Sequence, residues 1–424
     1  MSRSDRGARG VTFALLALYL GQGLLAGAWA AVLLPAMQGG GVGLADAAGV
    51  LAWGGVPWVL KIGAAPLIDR WMSPRSGRLR MWALVALQLS LAAVSLAFPD
   101  PGTPATLAVL GRVWLLANAL MALQDVITDA ASIDLVPEHR RGRVRSLMLL
   151  AASIGSGLVG ATALGRLTRT VGVDALGPAL AVVFLGIAAA VFASRRAWDT
   201  HDSLRSLSDG RAASPGRPSV HRRDEAPSEL RAPRHLGALL LALLLVLGNG
   251  IVTAVAGYYL LGDLEWTVQR YQELLLPFTT AVTLLTYVIV SARLDRIGAA
   301  RGVVSGAILS ATAWLGLALS GALAREAPWL LTLATFEAAG LALLLAALHA
   351  WLMELASGPH RAIYFAVAMG AINLGQMVLG PLAGARCHAI VGSRGTIIAA
   401  AVTQITLVAV WRIRGRARHR SRST

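Results

Sequence analysis

Apolar runs of about 20 residues recur along the whole chain, and they constrain its fold more than any other feature. A helix of that length spans the ~30 Å hydrocarbon core of a bilayer. Only 14% of the 424 residues are charged and 56% are hydrophobic, whereas about a quarter of a soluble protein is charged. The runs lack the alternation of polar and apolar residues that marks a β-barrel. The sequence therefore predicts an all-α membrane protein.

The runs number twelve, in two groups of six with a polar stretch between them. The first group lies near 12–36, 44–67, 80–98, 106–134, 146–165 and 174–194, and the second near 235–260, 271–292, 302–322, 328–353, 362–385 and 394–412. Three arginines precede the first run, and it contains a small-x-small sequence at Ala28-Trp29-Ala30, as a signal peptide does. Because many spans follow, we interpret it as an uncleaved first transmembrane helix.

The net charge of +16 is concentrated between the apolar runs. Arginines cluster after the second, fourth and eighth spans and in the tail, whereas most alternate loops hold few cations. By the positive-inside rule the arginine-rich loops are cytoplasmic, so both termini are predicted to be cytoplasmic. This placement favours anionic lipid as the partner of the charges and argues against nucleic acid. The use of arginine for lysine, with abundant alanine and glycine, indicates a GC-rich bacterial genome and hence a bacterial inner membrane.

A polar stretch over 195–234 is rich in Ser, Pro and Arg and cannot bury enough apolar surface to fold by itself. We expect it to be a disordered cytoplasmic linker. It separates an N-terminal six-helix bundle, 1–194, from a C-terminal six-helix bundle, 235–412. A basic cytoplasmic tail, 413–424, follows.

The two halves resemble diverged copies of one another. An Asp-Arg pair ends both the second and the eighth spans, and an acid lies at the end of both the fourth and the tenth. A constant offset pairs Gly155 with Gly375, Gly160 with Gly380, and Asp129 with His349. Two parallel six-span repeats joined by a long inside loop predict the major facilitator fold, with 12 transmembrane helices in two six-helix halves.

Charged and polar residues interrupt the apolar spans at a few positions. Asp125 and Asp129 lie one helical turn apart in the fourth span, directly after Gln124, and both carboxylates therefore point the same way. An ionised Asp at mid-bilayer costs at least ~2.5 kcal/mol unless it faces a partner or a water-filled cavity. Lys61 in the second span lies at a comparable depth, and we hypothesise that it pairs with Asp125 or Asp129. Such residues are candidates for proton coupling and substrate binding, and a structural salt bridge is the alternative.

Glu337 is the main lone acid of the second half. An acid in an apolar span can be neutralised by binding a proton, as proton coupling requires, and a hydrogen-bonded structural role is the alternative. It joins the candidates for proton coupling and substrate binding.

Acids and arginines at the inner ends of spans predict a gate. Asp69 and Arg70 end the second span, Asp295 and Arg296 end the eighth, and Asp134 ends the fourth. Salt bridges between the halves at these positions would stabilise an outward-facing state and break when the halves rock. For Asp134, beside an arginine cluster, a structural salt bridge is the main alternative.

Two motifs carry a resemblance to a known family. The second span contains GVPWVLK from Gly55 to Lys61 and then APLIDR from Ala65 to Arg70, and the fourth contains QDVITDA from Gln124 to Ala130. Both motifs resemble AmpG-like permeases of the peptide/acetyl-CoA transporter branch of the major facilitator superfamily, and siderophore permeases of the RhtX/FptX type are close by. The resemblance implies that Lys61, Asp69, Gln124, Asp125 and Asp129 occupy signature positions. It also implies proton-driven import of a bulky polar or anionic solute, such as a muropeptide. The chain is shorter than the muropeptide permeases, which carry two extra spans, and a siderophore therefore stays an alternative.

The predicted function is that of a secondary active transporter, and we expect it to be a monomer. Its expected partners are a small-molecule solute, protons and the lipid bilayer. Proton-antiport efflux of drugs or metabolites uses the same parts, and a non-transporting membrane sensor is a further alternative. The chain lacks the sequence motifs of zinc proteases, α/β-hydrolases and P-loop proteins, so we do not expect an enzyme. A single cysteine, Cys387, gives no disulfide within the chain and no metal cluster, and no cofactor is expected.

Overall fold

The computed structural model describes residues 3–71, 77–101, 104–136, 138–198, 233–355 and 361–420, and within these ranges the regular structure is entirely helical. The predicted linker falls mostly on 199–232, outside the described residues. The ordered N-terminal half continues past the expected boundary at 194, because Trp198 is fully buried and its indole nitrogen donates a 2.9 Å hydrogen bond to Ser194 Oγ.

The N-terminal half contains six long helices: α1 Arg3–Ala28, α2 Leu44–Trp71, α3 Gly77–Ser95, α4 Leu107–Leu135, α5 Glu138–Ile154 and α6 Leu176–Ala193. Two of them continue beyond these bounds without leaving the helical path. A π-helical turn, Trp29–Leu33, extends α1 into Leu34–Gly39, and a longer π-helical stretch, Gly155–Leu164, extends α5 into Gly165–Val171.

The C-terminal half contains α7 Pro233–Tyr258, α8 Leu276–Ile297, α9 Ala299–Leu319, α10 Ala327–Leu355, α11 Arg361–Asn373 and α12 Gly380–Arg420. Here too π-helical turns extend the helices. Tyr259–Asp263 follows α7, Tyr271–Leu275 leads into α8, and Leu374–Leu379 joins α11 to α12.

Ten helical stretches among the described residues are long and apolar enough to cross a membrane. The last of them, Tyr364–Ile413, covers two predicted spans, and its helix is interrupted at Gly392, whose φ of 70° and ψ of 178° are not helical. Glycine tolerates this positive φ because it has no Cβ. The 28-residue α2 is not among the ten, but it occupies the second predicted span. The predicted all-α fold in two six-helix halves is confirmed.

Equivalent contacts between glycines pack the helices within each half. Gly27 of α1 faces Gly160 of the α5 extension, and Gly250 of α7 faces Gly380 at the start of α12. A Cβ added to Gly160 would lie 2.9 Å from the Gly27 Cα atom, and one added to Gly380 would lie 2.6 Å from the Gly250 Cα atom. Small residues let membrane helices approach this closely. The equivalence of the two contacts reproduces in space the repeat predicted from Gly160 and Gly380.

Polar contacts join the two halves at one end of the bundle, which we call the closed end and which contains the connections 40–43, 172–175 and 264–267. Tyr258 donates a 2.9 Å hydrogen bond to the Val42 carbonyl oxygen. Arg169 of the α5 extension forms an ion pair with Glu273. Gln272 donates to the Ala31 carbonyl oxygen. The site described next lies toward the opposite end.

Candidate functional site

Lys61 and Asp125 form an ion pair between α2 and α4, deep in the N-terminal half. The exposed fractions of their side chains are 16% and 8%. Gln22 of α1 donates a 2.9 Å hydrogen bond to the other carboxylate oxygen of Asp125, and the Lys61 Nζ atom lies 4.9 Å from the centre of the Trp58 ring. Of the two partners hypothesised for Lys61, the geometry therefore selects Asp125.

Asp129 has a different cation. Arg145 of α5 places its Nη1 atom 2.5 Å from Asp129 Oδ1, and the Tyr19 hydroxyl of α1 donates a 2.5 Å hydrogen bond to the same oxygen. The guanidinium also contacts the Tyr19 hydroxyl and lies 5.3 Å from the centre of its ring. Three helices therefore converge on this carboxylate.

Sequence reasoning missed Arg145 and Tyr19 as site residues. Arg145 stood in a run of arginines interpreted as a cytoplasmic loop, and the fifth span was predicted to begin at 146. The helix begins at Glu138, so Arg145 lies two turns inside it. Tyr19 is an aromatic residue in an apolar span and offers no sequence signal beyond its hydroxyl.

Together these residues form what we call the charge cluster: Lys61, Asp125, Asp129 and Arg145. Two cations face two carboxylates, so the cluster is neutral when all four groups are ionised. The Asp129 and Arg145 side chains are 38% and 41% exposed, far more than Lys61 and Asp125. The cluster therefore has one half-open ion pair and one nearly enclosed ion pair. Across the interface, His349 of α10 lies within electrostatic range of both cations.

Gln124, also a predicted site residue, lies away from this open side. Its side chain is fully buried, accepts a hydrogen bond from Gln88 of α3, and donates a 3.0 Å hydrogen bond to the Leu18 carbonyl oxygen of α1. These contacts anchor α4 to two neighbouring helices, and thereby orient Asp125 and Asp129 on the opposite side. The geometry gives Gln124 a positioning contact and no open face toward a solute.

The predicted gate residues are only partly described. Asp134 accepts a 2.7 Å hydrogen bond from Arg80, which is 2% exposed and belongs to α3 of the same half. This is the structural salt bridge that was the alternative for Asp134, and it does not cross between the halves. Arg296 is exposed near the end of α8. The side chains of Asp69, Arg70 and Asp295 lie outside the described part of the structure, so their gate role stays a prediction.

Hydrogen bonds connect the neighbourhood of Lys61 to the second half. The Trp58 indole nitrogen donates a 2.9 Å hydrogen bond to Asn118 Oδ1 of α4, and Asn373 of α11 donates a 3.1 Å hydrogen bond to the Trp58 carbonyl oxygen. Trp58 precedes Lys61 by about one helical turn. These hydrogen bonds connect α4 and α11 to the segment of α2 that carries Lys61.

Glu337 lies apart from the charge cluster. It lines a cavity of about 290 Å³ between α7, α8, α9 and α10, closed on one side by the π-helical turn of α1. No group of three or more His, Cys, Asp or Glu side chains among the described residues is arranged to hold a metal ion.

Comparisons with known proteins agree with this architecture. Residues 238–424 match the sequence model of the Major Facilitator Superfamily. The chain is 32% identical over 116 residues to the anhydromuropeptide permease of Escherichia coli K12, and this segment is 26% of the chain and 22% of the permease. The alignment therefore spans about a fifth of that relative.

Two solved structures show the same fold over nearly the whole chain. A POT family transporter in complex with a thioalcohol conjugated peptide superimposes with a TM-score of 0.69 at 13% identity, covering 96% of both chains. The D-xylose-proton symporter superimposes with a TM-score of 0.67 at 12% identity, covering 95% of this chain and 96% of the symporter. At these identities the likeness extends to the fold. The chain is thus a multi-pass membrane protein with the major facilitator fold, and its C-terminal half carries a Major Facilitator Superfamily domain.

Proposed function

We propose that the chain is a secondary active transporter that imports a bulky polar or anionic solute together with protons, by alternating access between its two halves. The observation that carries the proposal is the charge cluster. In it, each of two cations inside an apolar bundle forms an ion pair with a carboxylate. A solute anion and a carboxylate compete for the same cation. Binding of the solute is therefore coupled to protonation of the carboxylate.

The half-open pair is the entry point in this scheme. A proton on Asp129 removes its charge and leaves Arg145 available to an anionic group of the solute. A proton on Asp125 does the same for Lys61, whose ammonium is then balanced by the solute. The cluster gains a positive charge with each proton and loses it with each bound anion. Both steps use atoms that are already in contact.

The closed end is the extracellular end if the termini are cytoplasmic, as the arginine distribution predicts. The structure then represents an inward-facing state, in which the contacts of Tyr258, Arg169 and Gln272 seal the outside. The predicted gate of Asp69, Arg70, Asp295 and Arg296 would form on the cytoplasmic side in the opposite state. The bacterial inner membrane and a monomeric state complete the proposal.

The solute class draws support from the family resemblance. The relative that shares 32% identity over 116 residues is an anhydromuropeptide permease, and both signature motifs lie in the helices that form the charge cluster. A muropeptide is therefore the first solute to test, and an iron-loaded siderophore is the second.

Proton flux into proteoliposomes that enclose a pH dye tests the proposal. We expect the muropeptide, added outside, to acidify the lumen in the wild type. Asp125→Asn should abolish this signal, because Lys61 is then permanently released and no proton is exchanged at this position. Asp46→Asn is the matched control, since Asp46 is an exposed acid at the far end of α2, and it should behave as the wild type.

Three other outcomes have distinct meanings. Alkalinisation of the lumen by the solute would indicate proton antiport and efflux. Acidification that persists in Asp125→Asn would exclude Asp125 from coupling. No proton movement with either solute would contradict proton-coupled import of this class.

A further inference from the structure

The cavity that Glu337 lines has a composition unlike the charge cluster. Its walls are mostly aliphatic and aromatic, and they come from four helices of the C-terminal half and from α1. Three aromatic side chains contribute to them: Trp29, Tyr271 and Trp314. Glu337 is the one carboxylic acid in this lining, which contains no Lys, Arg or His. The cavity lies between the closed end and the level of Glu337, ten residues into α10.

The Glu337 carboxylate has no cationic partner among the described residues. The side chain that reaches it is Trp314, which is only 1% exposed and directs its indole N–H toward the carboxylate. The indole nitrogen has no other hydrogen-bond partner among the described residues. One N–H does not balance an ionised carboxylate in an apolar cavity, so a ligand that supplies a cation gains affinity.

We infer that this cavity is a binding site for an organic cation with an apolar body, or for an apolar arm of the solute that ends in an ammonium group. Aromatic faces attract cations, and the carboxylate of Glu337 provides the counter-charge in an otherwise apolar enclosure. The aliphatic walls accept the apolar body. The volume of about 290 Å³ is at the lower limit of small-molecule pockets, which suits one ring or a short chain.

An ionised Glu337 repels anions, and a bound cation keeps the carboxylate ionised. The cavity and the charge cluster then differ in the ligand groups they select: an anion competes for Arg145 and Lys61, and a cation binds at Glu337. Whether the cation is part of the transported solute rests on the proposed function. Binding of a cation to the cavity is independent of the proposed function and is measured without any transport.

Isothermal titration calorimetry on the purified full-length protein tests the site with three ligands of one shape and different charge: benzylammonium, benzyl alcohol and benzoate. We expect benzylammonium to bind at least about tenfold more tightly than benzyl alcohol, and benzoate not to bind. Glu337→Gln should weaken benzylammonium by about tenfold or more and leave benzyl alcohol almost unchanged. Glu326→Gln, an exposed acid just before the same helix, is the matched control and should bind as the wild type.

A second variant guards against misfolding of the first. Ala334→Leu fills the cavity from the same helix and keeps Glu337, and it should weaken benzylammonium and benzyl alcohol alike. Asp125→Asn should bind benzylammonium normally even where proton coupling is lost, which separates this inference from the proposed function. Equal affinity for the three ligands, no binding of benzylammonium, or an unchanged affinity in Glu337→Gln would overturn the site. The last result would leave Glu337 as a group that binds a proton at most.

Discussion

The two halves of the molecule share their helix contacts but not their chemistry. Gly27 faces Gly160 in the first half as Gly250 faces Gly380 in the second, with the same close approach. The charged residues have no such counterparts. At the offset that pairs the glycines Gly160 and Gly380, His349 stands for Asp129, and the positions of Asp125 and Arg145 correspond to apolar residues, Leu345 and Phe365.

This difference separates the residues that pack the helices, which both halves share, from the charged residues, which they do not share. The packing of helices depends on small residues at the crossings, and both halves contain them. The ion pairs of the charge cluster lie in the first half, and the second half has its own acid, Glu337, in a separate apolar cavity. Under the proposed alternating access, both halves need rigid packing, whereas the charge chemistry is needed once.

The largest expected effect comes from removing a cation from the charge cluster. Lys61→Ala leaves Asp125 buried without its partner, and breaking such a pair costs about 3–5 kcal/mol of unfolding free energy. Aligning Asp69-Arg70 with Asp295-Arg296 places Tyr287 opposite Lys61 in the second half, and Tyr287→Ala, which removes no charge, should cost less. Thermal unfolding in nanodiscs measures both. We expect the double variant Lys61→Ala/Asp125→Asn to recover most of the stability but not the transport. Equal stability of Lys61→Ala and the wild type would show that the pair contributes nothing to the fold.

A smaller and symmetric effect is expected at the glycine crossings. Gly160→Ala and Gly380→Ala both place a Cβ within 3.0 Å of backbone atoms of the facing helix, and such overpacking costs about 1–3 kcal/mol. Gly186→Ala, on α6 with nothing within 4 Å of the added Cβ, is the control and should be neutral or slightly stabilising. The same nanodisc unfolding assay compares them. If only one of the two crossings were sensitive, the two halves would not share a packing mechanism.

The smallest effect is expected where the halves touch at the closed end. Arg169→Ala removes the ion pair with Glu273, which lies in an exposed setting and adds little to stability. Arg169→Ala should shift the equilibrium between the closed and open states of this end toward the open state, by a few-fold at most. The equilibrium is measured by labelling a cysteine introduced at Thr280, which faces Gly157 across the interface. Cys387 is first replaced by Ser, so that the introduced cysteine alone is labelled. Labelling that is unchanged by Arg169→Ala would show that this ion pair does not hold the end closed.

Much of the architecture could be predicted because it depends on local properties of the chain. The length of each apolar run sets whether it crosses a membrane, and the helix bounds differ from the predicted spans by a few residues at most ends. The largest differences have identifiable reasons. The fifth span begins eight residues early because the arginine-rich segment before it is helical. The last two predicted spans are two helices that meet directly at Gly392, so the connection between them is shorter than the predicted 386–393.

The candidate site shows where such reasoning ends. The cost of a charge in lipid singled out Lys61, Asp125 and Asp129 from the sequence alone, because that cost depends on residue type and depth. Which cation meets which carboxylate depends on the rotation of each helix about its axis and on its neighbours. Only the tertiary structure shows that Lys61 pairs with Asp125 and that Arg145 pairs with Asp129.

The sequence by itself thus determined that the chain crosses the membrane, that it does so as two related halves, and that charges lie inside the first of them. The tertiary structure alone decided that Gln124 faces α1 and α3, that Asp134 bonds Arg80 within its own half, and that Glu337 lies in an apolar cavity. The physical reason is that apolar length and buried charge are properties of single segments. Contacts between helices depend on how all of them pack at once.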